Sequence, residues 1–426
     1  MSTTTIGTAA PGWPSTGAVL DGTRLHVVSR NLDRTRIAII DITNWDLVAE
    51  RTIAVGDGAW GLTVAAGGVY LGLYGARGSA NLYRLAGSSV QPLAALAVDY
   101  IWDLATLPDG RVLGVATEPS LVFTYDPSTQ QASDIGLLTA RQRPRTCTTT
   151  GSRLVVGGTG DGRAFLVDRA LSGGAVRPIL PSALAGDDTV YCSAVTPAGW
   201  IVIGTGGPAL DRPAIAVLDP NAPEGAVVVR LPREALVDTV VVVGDDVFAT
   251  ARPSGALYRL DLGSQQLFRE AVPVAMSETR DLAAAGPRLI GSSGDGSVWE
   301  FRRSTGAVTV HGPEALGLQL RPQRVQSIAA AEDRVEVGGS FTLTRHDLTS
   351  GTATTTFLPG EAKGMVVVGD LTYLAVYPIG EIWYWRATEE APRRLTQLDS
   401  DQLRPIALAW STQLQALLAT TTDDRK

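Results

Sequence analysis

Lysine is almost missing from this chain. Among 426 residues only Lys363 and the terminal Lys426 carry an ammonium, and arginine supplies the other positive side chains. Cysteine and histidine are nearly as scarce, at two and three residues. Two cysteines exclude a disulfide framework, and with three histidines they exclude a zinc site of the usual Cys/His spacing. No metal is expected. No stretch approaches the roughly 18 apolar residues of a membrane span. Met1 to Pro14 has neither a basic n-region nor an apolar h-region. These absences predict a cytoplasmic protein, or a secreted one whose leader has been removed. The net charge of -7 opposes nucleic acid and membranes as partners.

What is present is the material of a globular all-β chain. Hydrophobic residues make up 45% and charged residues 19%, while Gly 46 and Pro 24 supply turns for many short strands. One unit recurs along the whole length. It has an apolar strand, a Gly/Asp turn, a second apolar strand, a third strand ending in Asp or Arg, and a more polar fourth strand. WGLTVAAGG, VYLGLYG, NLYRLA and SVQPLAAL form one such unit. Second and third strands elsewhere read VLGVAT with LVFTYD, VFATAR with ALYRLD, and YLAVY with EIWYWR. The turns Asp109-Gly110, Gly67-Gly68 and Gly244-Asp245 suit tight hairpins.

Aligning the first strands gives one equivalent position per unit: Thr16, Trp60, Trp102, Thr146, Tyr191, Asp238, Arg280, Gln326, Lys363 and Arg404. Successive members lie roughly 37 to 47 residues apart, the blade period of a β-propeller. The expectation is a single propeller domain over residues 1–426, with nine full four-stranded repeats and a partial tenth. An incomplete last unit leaves strand edges open. The β-prone segment Thr3 to Ala9 is therefore expected to close the ring.

In a propeller blade the start of the innermost strand and the end of the next strand lie at one face. The ends of the second strands are Arg30, Tyr74, Thr117, Thr159, Thr205, Arg252, Ser293, Ser340 and Tyr377. The two sets put Trp60, Trp102, Tyr191, Tyr74 and Tyr377 beside Arg30, Arg252, Arg280, Lys363 and Arg404, with Asp238 as the main acid and Gln326 as a polar member. Aromatic faces with guanidinium or ammonium groups suit a small anionic ligand, such as a sugar acid or a carboxylated metabolite. The bland alternative is that the tryptophans pack between blades and the arginines pair with local carboxylates. His26, His311 and His346 fall off this ring, and Cys147 and Cys192 read as buried free thiols.

Several blocks resemble a known group. GDGAW at Gly56 to Trp60, YIWDLATLPDGRV at Tyr100 to Val112, RVQSIAA at Arg324 to Ala330, and GEAKGM followed by YPIGEIWYW resemble bacterial propeller proteins. Those are labelled pyrroloquinoline-quinone-type repeats or likened to propeller polysaccharide lyases. The resemblance implies a propeller, and a lyase acting on uronic-acid sugars. Such chemistry needs a cation on the carboxylate and a base for the adjacent proton. It places Arg280 and Lys363 with Tyr74 or Tyr377 as candidate catalytic residues. No cofactor-specific motif is readable, so no cofactor is expected. Two functions stay open. One is an enzyme of bacterial specialised metabolism, with lyase or cyclase chemistry at a Tyr/Lys acid-base group. The other is a non-catalytic propeller that binds a ligand or a protein at the same face. Trp60, Trp102, Tyr191, Asp238, Arg252, Arg404, Arg30 and Gln326 are the candidate binding residues for either.

Overall fold

The computed structural model describes residues 7–32, 34–207, 211–377, 380–386, 388–389, 391–398 and 404–422. Ten strands each open a sheet. They are β1 (Ser15–Asp21), β2 (Ala59–Ala65), β3 (Tyr100–Thr106), β4 (Gln142–Thr150), β5 (Thr189–Val195), β6 (Leu236–Val243), β7 (Thr279–Ala285), β8 (Ser327–Ala330), β9 (Glu361–Val368) and β10 (Arg404–Ser411). The sheets on β1 to β9 each contain four antiparallel strands in chain order, and β10 pairs with Ala416–Thr422 alone. A single Gly206–Leu236 pairing links the fifth and sixth sheets. The nine full repeats and the partial tenth read from the sequence are these sheets. Two single-turn 3-10 segments, Ser182–Leu184 and Pro223–Gly225, are the only helical turns among the described residues. None is long or apolar enough to cross a membrane.

The local reasons are those of short hairpins. Gly110 at φ +87° and Gly244 at φ +64° take up the left-handed conformation that the tight turn after an inner strand requires. Middle strands such as Val112–Thr117 and Ile201–Gly206 are buried at every residue, because each lies between two neighbouring sheets. The outer strand Gln131–Asp134 is mostly exposed and correspondingly polar. The core is a series of slabs between sheets. In one, Val28, Ile37 and Ile39 of the first sheet meet Val69, Leu71 and Tyr83 of the second.

Chain packing divides into two compact units. The larger comprises Ser15–Ser293 with Ser297–Leu318, and the smaller comprises Met1–Pro14, Gly294–Gly296 and Gln319–Lys426. In the larger unit β1 to β7 pack side by side in chain order, and β7 packs back against β1. Within this unit the seven sheets thus form a ring. The period of the repeat counts sheets but does not encode where the circle closes. Here closure depends on contacts between the first and seventh sheets. Arg280 Nε donates to Ser15 O at 3.0 Å, Arg288 Nη1 donates to Ile42 O at 3.1 Å, and the Trp45 and His311 rings stack at 4.2 Å.

In the smaller unit β8, β9 and β10 stack in that order. Pro11–Gly12 pairs with Arg321–Pro322, and Gln323 N donates to Ala10 O. Residues 9–12 therefore lie along the start of the eighth sheet. Of the segment expected to close a ring, Thr3 to Ile6 lies outside the described residues.

Adjacent inner strands approach so closely that some positions have no room for a side chain. A Cβ on Gly61 in β2 would stand 2.9 Å from the Asp103 backbone in β3. Backbone cannot yield as a flexible side chain can. Gly61→Ala is expected to destabilise the protein by about 1–3 kcal/mol through overpacking. Gly225→Ala, where an added Cβ meets nothing within 4 Å, serves as the neutral control. Urea denaturation of both variants is the check.

Candidate functional site

The inner strands of the larger unit share one irregularity. Each pairs with its neighbour through a register shift, between Ser15 and Gly17, Ala59 and Gly61, Ile101 and Asp103, Pro144 and Thr146, Val190 and Cys192, Val237 and Thr239, and Thr279 and Asp281. A β-bulge leaves one residue out of the ladder and re-aims its side chain. The seven residues so placed are Thr16, Trp60, Trp102, Arg145, Tyr191, Asp238 and Arg280.

Most of these side chains converge. The Trp60 and Trp102 rings lie 5.6 Å apart. The Arg145 guanidinium is 3.8 Å from the Trp102 ring centre, 4.4 Å from that of Tyr191 and 5.6 Å from that of Trp60. Its Nη2 donates to Tyr191 Oη at 2.5 Å, and Arg252 Nη2 donates to the same oxygen at 3.2 Å. Arg252 Nε donates to Asp238 Oδ1 at 2.6 Å, and its Nη1 pairs with Glu278 at 2.8 Å. Glu278 also pairs with Arg280, whose guanidinium sits 4.3 Å from the Trp60 ring. These contacts run unbroken from Trp60 through Trp102, Arg145, Tyr191, Arg252, Glu278 and Arg280 back to Trp60. They form a collar contributed by β2 to β7 and the strand after β6.

Aromatics thicken one side of the collar. Tyr74 stacks on Tyr100 at 5.9 Å, Tyr100 stacks on Trp102 at 5.2 Å, and Trp60 lies 5.9 Å from Tyr74. Trp102 Nε1 donates to Thr117 Oγ1 at 2.8 Å, which fixes the indole.

The residues just after the bulges carry two further acids. Asp103 accepts from Thr146 Oγ1 and Cys147 N at 2.9 Å each and from Leu104 N at 2.8 Å, tying β3 to β4. Burial pushes its carboxyl up to about 6, against the pull of those donors. Asp281 occupies the equivalent step of β7, where the next strand offers Gly17 in place of Thr146. Burial pushes it up to about 7. The Leu282 backbone N–H opposes that shift, and the charge of Asp103 adds to it.

Of the residues expected from the sequence, Trp60, Trp102, Tyr74, Tyr191, Asp238, Arg252 and Arg280 meet in this collar. Arg30 is the next-to-last residue of the strand Arg24–Asn31, opposite Thr35. In the smaller unit Lys363 stands at the bulge between Ala362 and Gly364. Its Nζ donates to Gln326 Oε1 at 2.9 Å, pairs with Glu361 at 2.5 Å, and lies 5.4 Å from the Tyr377 ring centre. So Lys363, Gln326 and Tyr377 are together there. Arg404 begins β10, two residues before the bulge position between Pro405 and Ala407. Glu278 and Glu361 each stand two residues before the cation they hold, so they are the same feature in two repeats.

Sequence reasoning missed Arg145, Tyr100 and Glu278. At the fourth unit the alignment took Thr146, one residue late. A signal was available. In four units the bulge residue lies six residues before the glycine of the first hairpin: Thr16 before Gly22, Asp238 before Gly244, Arg280 before Gly286 and Lys363 before Gly369; Trp60, Trp102 and Tyr191 stand seven or eight before theirs. Counting back from Gly151 reaches Arg145.

No family model and no curated protein matches the chain. Its structural likenesses are to propeller-like proteins of very different sequence. A catalytically inactive virginiamycin B lyase from Staphylococcus aureus, solved with quinupristin, superposes with a TM-score of 0.53 at 11% identity, over 68% of this chain and 94% of that one. PorZ, a surface component of the type-IX secretion system of Porphyromonas gingivalis, gives 0.51 at 9% identity over 97% of this chain, which spans 57% of PorZ. The computationally designed Ika8 protein gives 0.50 at 14% identity, over 83% of this chain and all of that one. At these identities the likeness shows the fold alone.

The collar's electrostatics yield a prediction. Glu278 holds two arginines that are themselves about nine-tenths buried. Removing its charge leaves both without that counter-ion in a site water scarcely reaches. Glu278→Gln is expected to cost about 3 kcal/mol of stability at pH 7, by urea denaturation.

Proposed function

We propose that the larger unit is a ligand-binding propeller that takes a small anion with a flat face at the collar. The observation that carries this reading is the state of Arg145. Its two fellow arginines are neutralised by Asp238 and Glu278, but among the described residues Arg145 forms no ion pair. Trp102 from β3 and Tyr191 from β5 flank it, and one of its five N–H groups is taken up, by Tyr191 Oη. A guanidinium fixed by aromatic neighbours, with N–H groups to spare, is pre-organised to grip a carboxylate through two parallel hydrogen bonds. Trp60, Trp102 and Tyr100 supply surfaces against which a planar group can stack.

The binding reading is preferred to the lyase or cyclase reading because of where the acid-base groups stand. His26 is buried in the first sheet, His346 is buried in the smaller unit, and His311 stacks on Trp45, so none of the three is among the collar contacts described. Lys363, the candidate amine, is engaged by Glu361 and Gln326 in the smaller unit. An enzyme built on Lys363 and Tyr377 remains a separate proposal, and turnover of a uronate oligosaccharide, abolished in Lys363→Met, is what would favour it.

The test uses benzoate and galacturonate as probes, in calorimetric titration and thermal melting. Benzoate is expected to bind and raise the melting temperature, and galacturonate to bind more weakly for want of a stacking face. Arg145→Met is expected to lose about 1.5–3 kcal/mol, tenfold or more in Kd, while folding normally. If neither probe binds, or if Arg145→Met binds as the unaltered protein does, the reading fails.

A further inference from the structure

We propose that the ligand of the collar is a flat dianion, with one carboxylate held by Arg145 and the second by Arg143. The inference rests on the ligand reading above and names the class of molecule that the site takes.

Arg143 stands two residues before the bulge residue of β4. It pairs with Thr159, and the register shifts just beyond it, between Pro144 and Thr146. Tyr100 in β3 and Glu361 in β9 occupy the same step, opposite Thr117 and Tyr377, with the shift again just beyond. Glu278 holds that step ahead of β7. In each of these three repeats the side chain at this step meets the side chain at the bulge. Tyr100 stacks on Trp102 at 5.2 Å, Glu278 pairs with Arg280, and Glu361 pairs with Lys363 at 2.5 Å. The step therefore lies on the same side of the strand as the bulge side chain. In β4 its occupant is an arginine. The backbone that carries the pair is closely packed: a Cβ on Gly158 would stand 2.2 Å from Arg143 O and 2.9 Å from Arg145 N.

Where β7 and β9 set a carboxylate beside the bulge cation, β4 sets a second cation. The carboxylates of the adjoining strands are engaged by other groups. Asp161 pairs with Arg141 at 3.5 Å, Asp187 with Arg230 at 2.7 Å, and Asp238 with Arg252 at 2.6 Å. The Asp188 carboxylate lies against Gly207. Asp103, one residue past the bulge of β3, accepts from Thr146 Oγ1 and Cys147 N. Among the described residues neither Arg143 nor Arg145 forms an ion pair. Two like charges side by side call for two negative charges, and a single molecule with two carboxylates supplies both. Same-side steps of a strand are roughly 6–7 Å apart, a span that carboxylates in meta or para positions of one ring can bridge. Tyr100, at the equivalent step of the adjoining strand β3, offers such a ring a stacking surface beside Arg143. Arg143 is exposed where Arg145 is partly buried, so the second carboxylate sits at the outer end of the site.

The measurement is the ratio of the Kd of benzoate to that of a dicarboxylate, isophthalate or terephthalate, by calorimetric titration at pH 7.5, where all three probes are fully ionised. The unaltered protein is expected to bind the better dicarboxylate about fivefold more tightly than benzoate, as a partly exposed charge pair allows, and to lose that advantage at high salt. Arg143→Gln is expected to reduce the ratio to about two, the statistical advantage of two equivalent carboxylates. Thermal melting of both proteins verifies folding. A ratio of two or less in the unaltered protein, or a ratio unchanged in Arg143→Gln, overturns the dianion inference, while benzoate binding that depends on Arg145 leaves the ligand reading standing. Absence of binding by benzoate and by both dicarboxylates overturns the ligand reading itself.

Discussion

The structure depends on one backbone device, the extra residue in each innermost strand. Seven strands meeting round an axis leave little room for side chains, as the contact between Gly61 and the Asp103 backbone shows. A regular ladder there would alternate its side chains between inside and outside with no freedom to choose. The bulge releases one residue per strand from that alternation. It lets large groups such as Trp60, Trp102, Arg145 and Tyr191 occupy the crowded centre, each steadied by a neighbour from the next strand. Without the bulge the same sequence would direct these side chains into the slabs between sheets, where a guanidinium has no place.

Charge follows from this crowding. A cation placed at the centre of a ring is largely desolvated and needs a counter-ion or a π-face. Arg252 and Arg280 have both kinds of partner, in Asp238, Glu278, Tyr191 and Trp60. Lys363 repeats the arrangement with Glu361 and Tyr377. The arginines of this acidic protein are thus tied up locally, in keeping with the blander alternative drawn from the sequence for most of them. Arg145 departs from the pattern. Its steadying groups are aromatic, and its charge is not cancelled by contact.

The sequence carried the repeat well and the register less well. Alternating apolar strands, Gly/Asp turns and a recurring spacing located all ten inner strands, because each is a local feature of some forty residues. The ring position was found at Trp60, Trp102, Tyr191, Asp238 and Arg280 because these residues are conspicuous. It was missed at Arg145, where Pro144 and two threonines blur the strand start and an error of one residue moves a side chain to the other face. Glu278 and Tyr100 were overlooked because only the bulge position and the second-strand ends were compared. Closure of the circle after seven sheets was not legible. It rests on contacts such as Trp45 with His311, some 266 residues apart in the chain, and no local pattern announces them.

Each of the seven sheets is drawn from one unbroken stretch of chain, and no strand is lent across the join between first and seventh. The join is made of side-chain contacts, such as Arg280 with Ser15 O, Arg288 with Ile42 O and Trp45 with His311, without a strand ladder across it. The circle therefore has no privileged starting point. New termini cut into an exposed loop elsewhere, with the old ones bridged, would preserve every strand pairing. A lineage of such proteins could also gain or shed a whole sheet by duplicating or deleting a single segment of the gene, with only the curvature of the ring left to adjust.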